Sequence, residues 1–221
     1  MAELIDPAAA TFAAAHTTPF TGAVAAAAEW TARHTAYPQM MAGLPEARLL
    51  EGLIAISGAR RVLEVGTFTG VGTLTMAAAV GEHGSVVTLE VDPETAEVAR
   101  RHFAAHPAGE RIEIILGPAL ESLRLLEGPF DLAWIDAAKS EYPAYYEAIV
   151  DKLAPRGVIV ADNLFRDGDT LDPGSADPGS ADPGTVAMRA FAARVQEDDR
   201  VDNVLLTVGD GLLLAWRRPA P

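Results

Sequence analysis

Five short apolar runs alternate with helix-patterned segments through the middle of the chain, and that alternation limits the possible folds more than any other feature. The runs are Arg61–Val65, Ser85–Val91, Arg111–Leu116, Phe130–Ile135 and Gly157–Val160. Between them, helical spacing or helix signals mark Thr73–Val80, Pro93–Phe103, Leu120–Leu126 and Tyr142–Leu153. A further helix precedes the first run: Leu49, Leu50, Leu53, Ile54 and Ile56 recur at helical spacing over Glu46–Ser57, and Gly58 supplies the stop. Strands that are apolar throughout must be covered on both faces, which predicts a mostly parallel sheet between helices. After a last helix, Val186–Gln196, the β-rich runs Asp202–Val208 and Leu212–Trp216 are separated only by Gly209-Asp210-Gly211. A parallel return would need a crossover, so these two form an antiparallel hairpin.

The expected fold is therefore α/β: a Rossmann-like, doubly wound, seven-stranded sheet, mostly parallel, with a C-terminal antiparallel hairpin and helices on both faces. A length of 221 residues suits one such domain, 1–221. Residues 1–45 form an Ala-rich N-terminal helical segment, with a helix over Ala23–Arg33 suited to packing or to contact with a second subunit. Between Asp172 and Gly184 the pentapeptide Asp-Pro-Gly-Ser-Ala occurs twice and begins again as Asp-Pro-Gly-Thr. So short a repeat buries no core, and residues 164–185 read as a lid or insertion loop beside the site.

Composition excludes several function classes. The formal charge is −14 with no basic cluster, which argues against nucleic acid and anionic membrane as partners. Cysteine is absent, so disulfides, thiolate metal sites and cysteine nucleophiles are excluded. No basic residue precedes Arg33, unlike a secretory or transit peptide, and no apolar run reaches bilayer length. The expectation is a cytoplasmic enzyme.

Chemistry gathers at the ends of the apolar runs. Glu64-Val65-Gly66-Thr67-Phe68-Thr69-Gly70-Val71-Gly72 follows the first run and enters a helix, so a ligand can approach backbone there. The glycine order is not the dinucleotide fingerprint, and Glu64 would repel a pyrophosphate. Glu90 ends the second run, where α/β nucleotide binders place an acid for ribose hydroxyls. Jointly these features suit S-adenosylmethionine, which carries an ammonium, a sulfonium and a ribose but no phosphate.

Lysine occurs only twice, against fifteen arginines, and Lys139 stands three residues after Asp136. Arginine cannot release its proton and lysine can, so this position suits proton transfer. Asp162-Asn163 ends a later run. Two hard oxygen clusters and one titratable amine suggest a divalent-metal site with a general base. Taken alone, the same residues could be a surface ion pair and a loop cap. Lys152 reads as a solvated charge at a helix C-terminus, Trp134 as core, and Tyr142, Tyr145 and Tyr146 as helix packing. The five histidines have no metal or triad spacing.

From about Met40 to Trp216 the chain resembles the cation-dependent class I O-methyltransferases, the family of catechol and caffeoyl-coenzyme A methyltransferases. The likeness rests on EVGTFTG, LEVDPE, GPALESL, FDLAWIDAAK, YYEAIVDKLAPRGVIVADN and VGDGLLLAW. It implies that Glu64, Gly66 and Thr67 meet the methionyl part of S-adenosylmethionine, Glu90 the ribose and Ala119 the adenine through its backbone, with Phe68 and Gly72 also binding the cofactor and Ala42 closing over it. It implies that Asp136, Asp162 and Asn163 ligate magnesium, with manganese or calcium as alternatives, that Asp136 also meets the cofactor amino group, and that Lys139 is the base. Phe165 would wall a small aromatic substrate with adjacent oxygens, in natural-product tailoring, and the enzyme would be a homodimer. Val71-Gly72 replaces the family's usual Tyr-Ser, which removes one hydroxyl contact to the methionyl carboxylate, and Glu46-Ala47 replaces its usual Glu-Gly or Gln-Gly. The alternatives are an NAD-linked oxidoreductase on the same type of sheet and a non-catalytic cofactor-binding protein.

Overall fold

The computed structural model describes residues 6–171 and 182–219. Helices α1 (Pro7–Ala15), α2 (Gly22–His34) and α3 (Leu44–Ser57) lead into β1 (Arg61–Val65). There follow α4 (Val71–Ala79), β2 (Ser85–Glu90), α5 (Pro93–Ala104), β3 (Ile112–Leu116), α6 (Ala119–Leu125) and β4 (Phe130–Ile135). The chain ends with α7 (Tyr142–Val150), β5 (Leu153–Ala161), α8 (Pro183–Gln196), β6 (Val201–Leu206) and β7 (Leu212–Arg217).

All seven strands join one sheet in the order β3-β2-β1-β4-β5-β7-β6. Strands β1 to β5 pair in parallel, and β7 runs antiparallel to both β5 and β6. The C-terminal hairpin thus docks by its second strand, with Val160 opposite Leu214. Successive strand residues enter opposite cores: Leu63, Val65 and Ile159 pack with α7 and α8 through Tyr146, Met188 and Phe191, while Val62 and Val160 pack with α3 and α4 through Leu50, Ile54 and Met76. That two-sided burial is why the strands read as unbroken apolar runs. Each fully buried Leu, Ile or Val contributes roughly 1.5–3 kcal/mol to the sheet's attachment.

Several boundaries differ from the sequence reading, each for a local reason. Helix α7 stops at Val150 and β5 already begins at Leu153. Phe130 pairs with Leu153 but Leu132 with Val158, so β5 spends extra residues on a bulge. Gly157 fits it because a Cβ there would lie 2.6 Å from the Phe130 carbonyl oxygen. Lys152 is not a solvated helix-end charge. Its Nζ donates to the carbonyls of Leu123 and, at 2.8 Å, Leu126, capping the end of α6.

Helix α1 falls within the expected helical segment 1–45 but is not delimited there, since Ala-rich sequence carries no apolar periodicity and α1 buries none of its residues. Its only local signal is Asp6-Pro7, where the Asp6 carboxylate accepts the Ala8 N–H at 2.7 Å. Helix α8 starts at Pro183, three residues early, because Asp182 caps it through the Thr185 N–H at 3.1 Å. Of the expected 164–185 loop, residues 172–181 lie outside the described residues, and the third copy of the repeat opens α8. No helix among the described residues is long and apolar enough to cross a membrane.

Candidate active site

Strand β1 has β2 on one side and β4 on the other, so the winding reverses between β1 and β4 and leaves a crevice at their C-terminal ends. A cavity of about 810 Å³ occupies this place. Every site residue expected from sequence lines it except Phe165.

One side is built on the loop after β1. Gly66 donates its N–H to the Leu89 carbonyl at 3.0 Å, fixing the loop to β2. Its φ is +100°, and a Cβ would lie 2.0 Å from the Asp136 carbonyl oxygen, so only glycine fits. Phe68 also has positive φ, 49°, and its N–H donates to Glu90 Oε2 at 2.8 Å. The other Glu90 oxygen accepts the N–H groups of Val91 at 2.9 Å and Asp92 at 3.0 Å. Glu90 therefore ties the end of β2 to the glycine-rich loop.

Glu64 is 2% exposed and accepts hydroxyl hydrogen bonds from Thr73 and, at 2.5 Å, Thr88. Burial pushes its carboxyl up to about 8, against those two hydroxyls and with help from the charges of Asp136 and Glu90. Thr67 Oγ1 lies 2.6 Å from Thr88 Oγ1 and completes this buried polar chain. Gly72 leaves room beside it, since a Cβ there would sit 3.1 Å from Glu64 Oε1. Ala42, from the segment before α3, and Ala119, at the start of α6, line other parts of the wall.

The other side sits at the ends of β4 and β5. Asp136 donates its N–H to Val65 at 2.9 Å and Asp162 donates its own to Ile135 at 3.1 Å. These bonds prolong the parallel ladders and bring the two carboxylates into one wall. Lys139 Nζ donates to Asp136 Oδ1 at 2.6 Å and to the Tyr142 hydroxyl at 2.9 Å, and that hydroxyl donates to the Ile135 carbonyl at 3.1 Å. Burial, then the charge of Asp136, pushes the Asp162 carboxyl up to about 7, with Lys139 opposing. Asn163 adopts φ 60° and donates its N–H to Asp162 Oδ1 at 2.6 Å.

Among the described residues no group of three or more His, Cys, Asp or Glu could hold a metal. The expected set is instead two carboxylates and an amide. These are hard oxygen donors suited to magnesium, manganese or calcium rather than zinc. A buried carboxylate whose charge is disfavoured by its neighbour is also where a cation is accommodated at least cost. On both counts the residues fit a divalent ion.

Phe165 does not join the cavity wall. The left-handed turn at Asn163 carries the chain toward the β6–β7 connection, where the Phe165 N–H donates to the Asp210 carbonyl at 2.8 Å. Its ring lies under Gly211, where a Cβ would come within 2.7 Å of it. Tyr145 and Trp134, expected as packing and core, are buried and also line the cavity; the Tyr145 hydroxyl donates to Glu141 at 2.5 Å. Glu46 and Asp210, which carried no expectation, stand near the acidic wall, and burial raises both carboxyls. Their only signal in the sequence is membership in the Glu46-Ala47 and Gly209-Asp210-Gly211 pairs and turns, because folding alone brings them to the site.

Comparison with known proteins agrees with this architecture. Residues 20–218 match the model of the O-methyltransferase family. The chain is 43% identical over 136 residues to a catechol O-methyltransferase of Mycobacterium tuberculosis, a match spanning 61% of each chain. It is 31% identical over 196 residues to caffeoyl-CoA O-methyltransferase 2 of Zea mays, covering 86% of this chain and 74% of that one. The O-methyltransferase of Bacillus cereus, solved in complex with SAH, superposes with a TM-score of 0.85 at 30% identity, covering 96% of this chain and 97% of that one. With a doubly wound sheet, a cavity at its switch point and a family match over residues 20–218, the chain belongs to the O-methyltransferase family.

Proposed function

We propose that this protein transfers a methyl group from S-adenosylmethionine to a hydroxyl of a small, free aromatic vicinal diol, with a divalent cation in the acidic wall. The observation that carries the reading is one cavity holding the Glu64–Glu90 side, free of basic residues, next to the Lys139–Asp136 pair and Asp162-Asn163. A nicotinamide dinucleotide would set its pyrophosphate against the acid-lined loop, which disfavours the oxidoreductase alternative.

In the proposed step the acceptor oxygen attacks the sulfonium methyl in line, the new O–C bond forms as the C–S bond breaks, and S-adenosylhomocysteine leaves. Glu64 and Asp136 bind the cationic methionyl end, and Glu90 the ribose, which aims the methyl across the cavity. Lys139 takes the hydroxyl proton, and Tyr142 and Asp136 hold its Nζ in place. Asp136, Asp162 and Asn163 would hold the cation, which supplies the Lewis acidity that lowers a catechol's pKa.

Charge favours a free acceptor over a coenzyme A thioester. Among the described residues Lys139 is the one basic residue lining the cavity, and it is paired with Asp136. Arg166, beside Phe165, is engaged by Asp182 at 2.7 Å. Residues 1–5, 172–181 and 220–221 contain no Lys or Arg. The phosphates of coenzyme A would thus find, among the described residues lining the cavity, no basic side chain other than the paired Lys139.

The test is methyl transfer to paired acceptors, a free catechol and a hydroxycinnamoyl thioester, with EDTA and then with magnesium restored. The expected result is turnover of the free catechol that is lost with chelation and returns with metal. Turnover unaffected by EDTA would remove the cation from the reading, and preference for the thioester would remove the free acceptor.

A further inference from the structure

The glycine-rich loop after β1 is tied to β2, and α2 and α5 hold it as well, through contacts that the proposed reaction leaves unused. They converge on Thr69, which lines the cavity and is 2% exposed. Thr31, on α2, is fully buried, and its hydroxyl oxygen lies 2.7 Å from that of Thr69. The Thr31 hydroxyl donates to the Ala27 carbonyl at 2.8 Å, so its one proton is spent and the Thr69 hydroxyl is the donor between the two. From α5, the His102 Nδ1–H donates to the Thr69 carbonyl at 2.8 Å. The neighbouring Phe103 ring abuts Gly70, where a Cβ would lie 2.4 Å from Cε1.

We infer that Thr31 and His102 are positioning residues for S-adenosylmethionine: they hold Thr69 by its hydroxyl and its carbonyl and so keep the loop in the shape that receives the cofactor. The loop needs such holding. Gly66, Phe68 and Gly70 take φ values of 100°, 49° and 84°, and this left-handed backbone is unfavourable for Phe68, which carries a Cβ. A conformation of this kind persists only where its surroundings over-determine it. Bonds to Leu89 and Glu90 fix Gly66 and Phe68, and those from Thr31 and His102 extend the fixing to Thr69. Around the hydroxyl pair, α2 docks through Val24 and Ala27 in an apolar cluster with Val71, Leu74 and Phe103. That packing is not directional, whereas the buried hydrogen bond is. Without it the Thr69 hydroxyl lacks its acceptor, the loop samples other shapes, and affinity falls by the fraction that stays competent.

The inference rests on the cofactor reading of the cavity, and the experiment separates the two. S-adenosylmethionine binding, without metal or acceptor, is measured by calorimetry on the wild-type chain, Thr31→Val, Thr31→Ser and His102→Phe. Thr31→Val keeps the shape of the side chain and removes the acceptor, and should weaken binding on the order of tenfold, the size of one lost buried hydrogen bond. Thr31→Ser, which keeps the hydroxyl, should bind within about twofold of wild type. His102→Phe keeps a ring beside Trp30 and removes the donor, with an expected loss of about threefold or more. It serves as the test variant should Thr31→Val fail to fold. A variant that is less stable but still folded keeps its intrinsic affinity, so rescue by serine marks positioning rather than stability. Wild-type affinity in Thr31→Val or His102→Phe, or the same loss in Thr31→Ser as in Thr31→Val, would overturn the inference. Absence of S-adenosylmethionine binding by the wild-type chain would overturn the cofactor reading and this inference with it.

Discussion

Lys139 Nζ is held by two partners on different elements, Asp136 at the end of β4 and Tyr142 at the start of α7. Lys139→Ala is expected to lower turnover on the order of 100-fold or more, the usual contribution of a positioned acid or base. S-adenosylmethionine affinity, read by calorimetry, should stay within about twofold, since in the proposed reaction the lysine meets the acceptor. Lys139→Arg should not rescue turnover, because a guanidinium keeps its proton. Glu64 carries a second prediction. Its carboxyl, pushed up to about 8 by burial, is mostly protonated at neutral pH in the ligand-free protein. A cationic ligand beside it favours the charged form, so binding should release a proton near pH 7. Calorimetry in buffers of different ionisation enthalpy would detect the release, and Glu64→Gln should abolish it.

At the scale of elements, the β1–β4 crevice depends on how closely the loop after β1 approaches the end of β4. Gly66 sets that distance, with Asp136 backbone where its side chain would be. Gly66→Ala should therefore cost on the order of 3 kcal/mol of stability, from overpacking and a positive φ together. A lowered denaturation midpoint and lost S-adenosylmethionine binding should appear together; an unchanged midpoint would contradict the packing argument. The glycine was legible because it sits in a motif at the end of an apolar run. The bulge in β5 was not, because Gly157 answers to Phe130 on a neighbouring strand, a contact with no trace in the local pattern.

Across the whole molecule, two buried acidic regions make stability depend on pH in opposite directions. At the end of the sheet away from the cavity, Asp198 is held well below the usual carboxylate range, chiefly by hydrogen bonds from Arg200, whose Nη2 lies 2.6 Å away. A depressed carboxylate stabilises the fold above its unfolded pKa, near 4, and that contribution is lost as pH falls further. At the cavity, Glu64 and Asp162 are raised, to about 8 and about 7. Raised groups stabilise the fold fully below about pH 4, and their contribution is lost as pH rises through their folded values. The ligand-free chain should thus melt highest near about pH 5 and lose stability toward pH 8. Melting curves across that range would check it: Glu64→Gln should flatten the alkaline side, and divalent cation should do the same by favouring the charged Asp162.

The order of strands, the parallel sheet and the glycine-rich loop after β1 were legible along the chain, because each is written in adjacent residues: apolar runs, glycines at a strand end, a lysine three residues from an aspartate. Most of the cavity wall was legible too, since strand ends in a doubly wound sheet converge on the switch point whatever the loops do. It took the folded chain to show that β7 rather than β6 docks on β5, that Lys152 caps α6, that Phe165 turns under Gly211 instead of toward the cavity, and that Glu46 and Asp210 stand near the acidic wall without lining the cavity. Those outcomes depend on contacts between segments far apart in the chain, where neither periodicity nor spacing carries a signal.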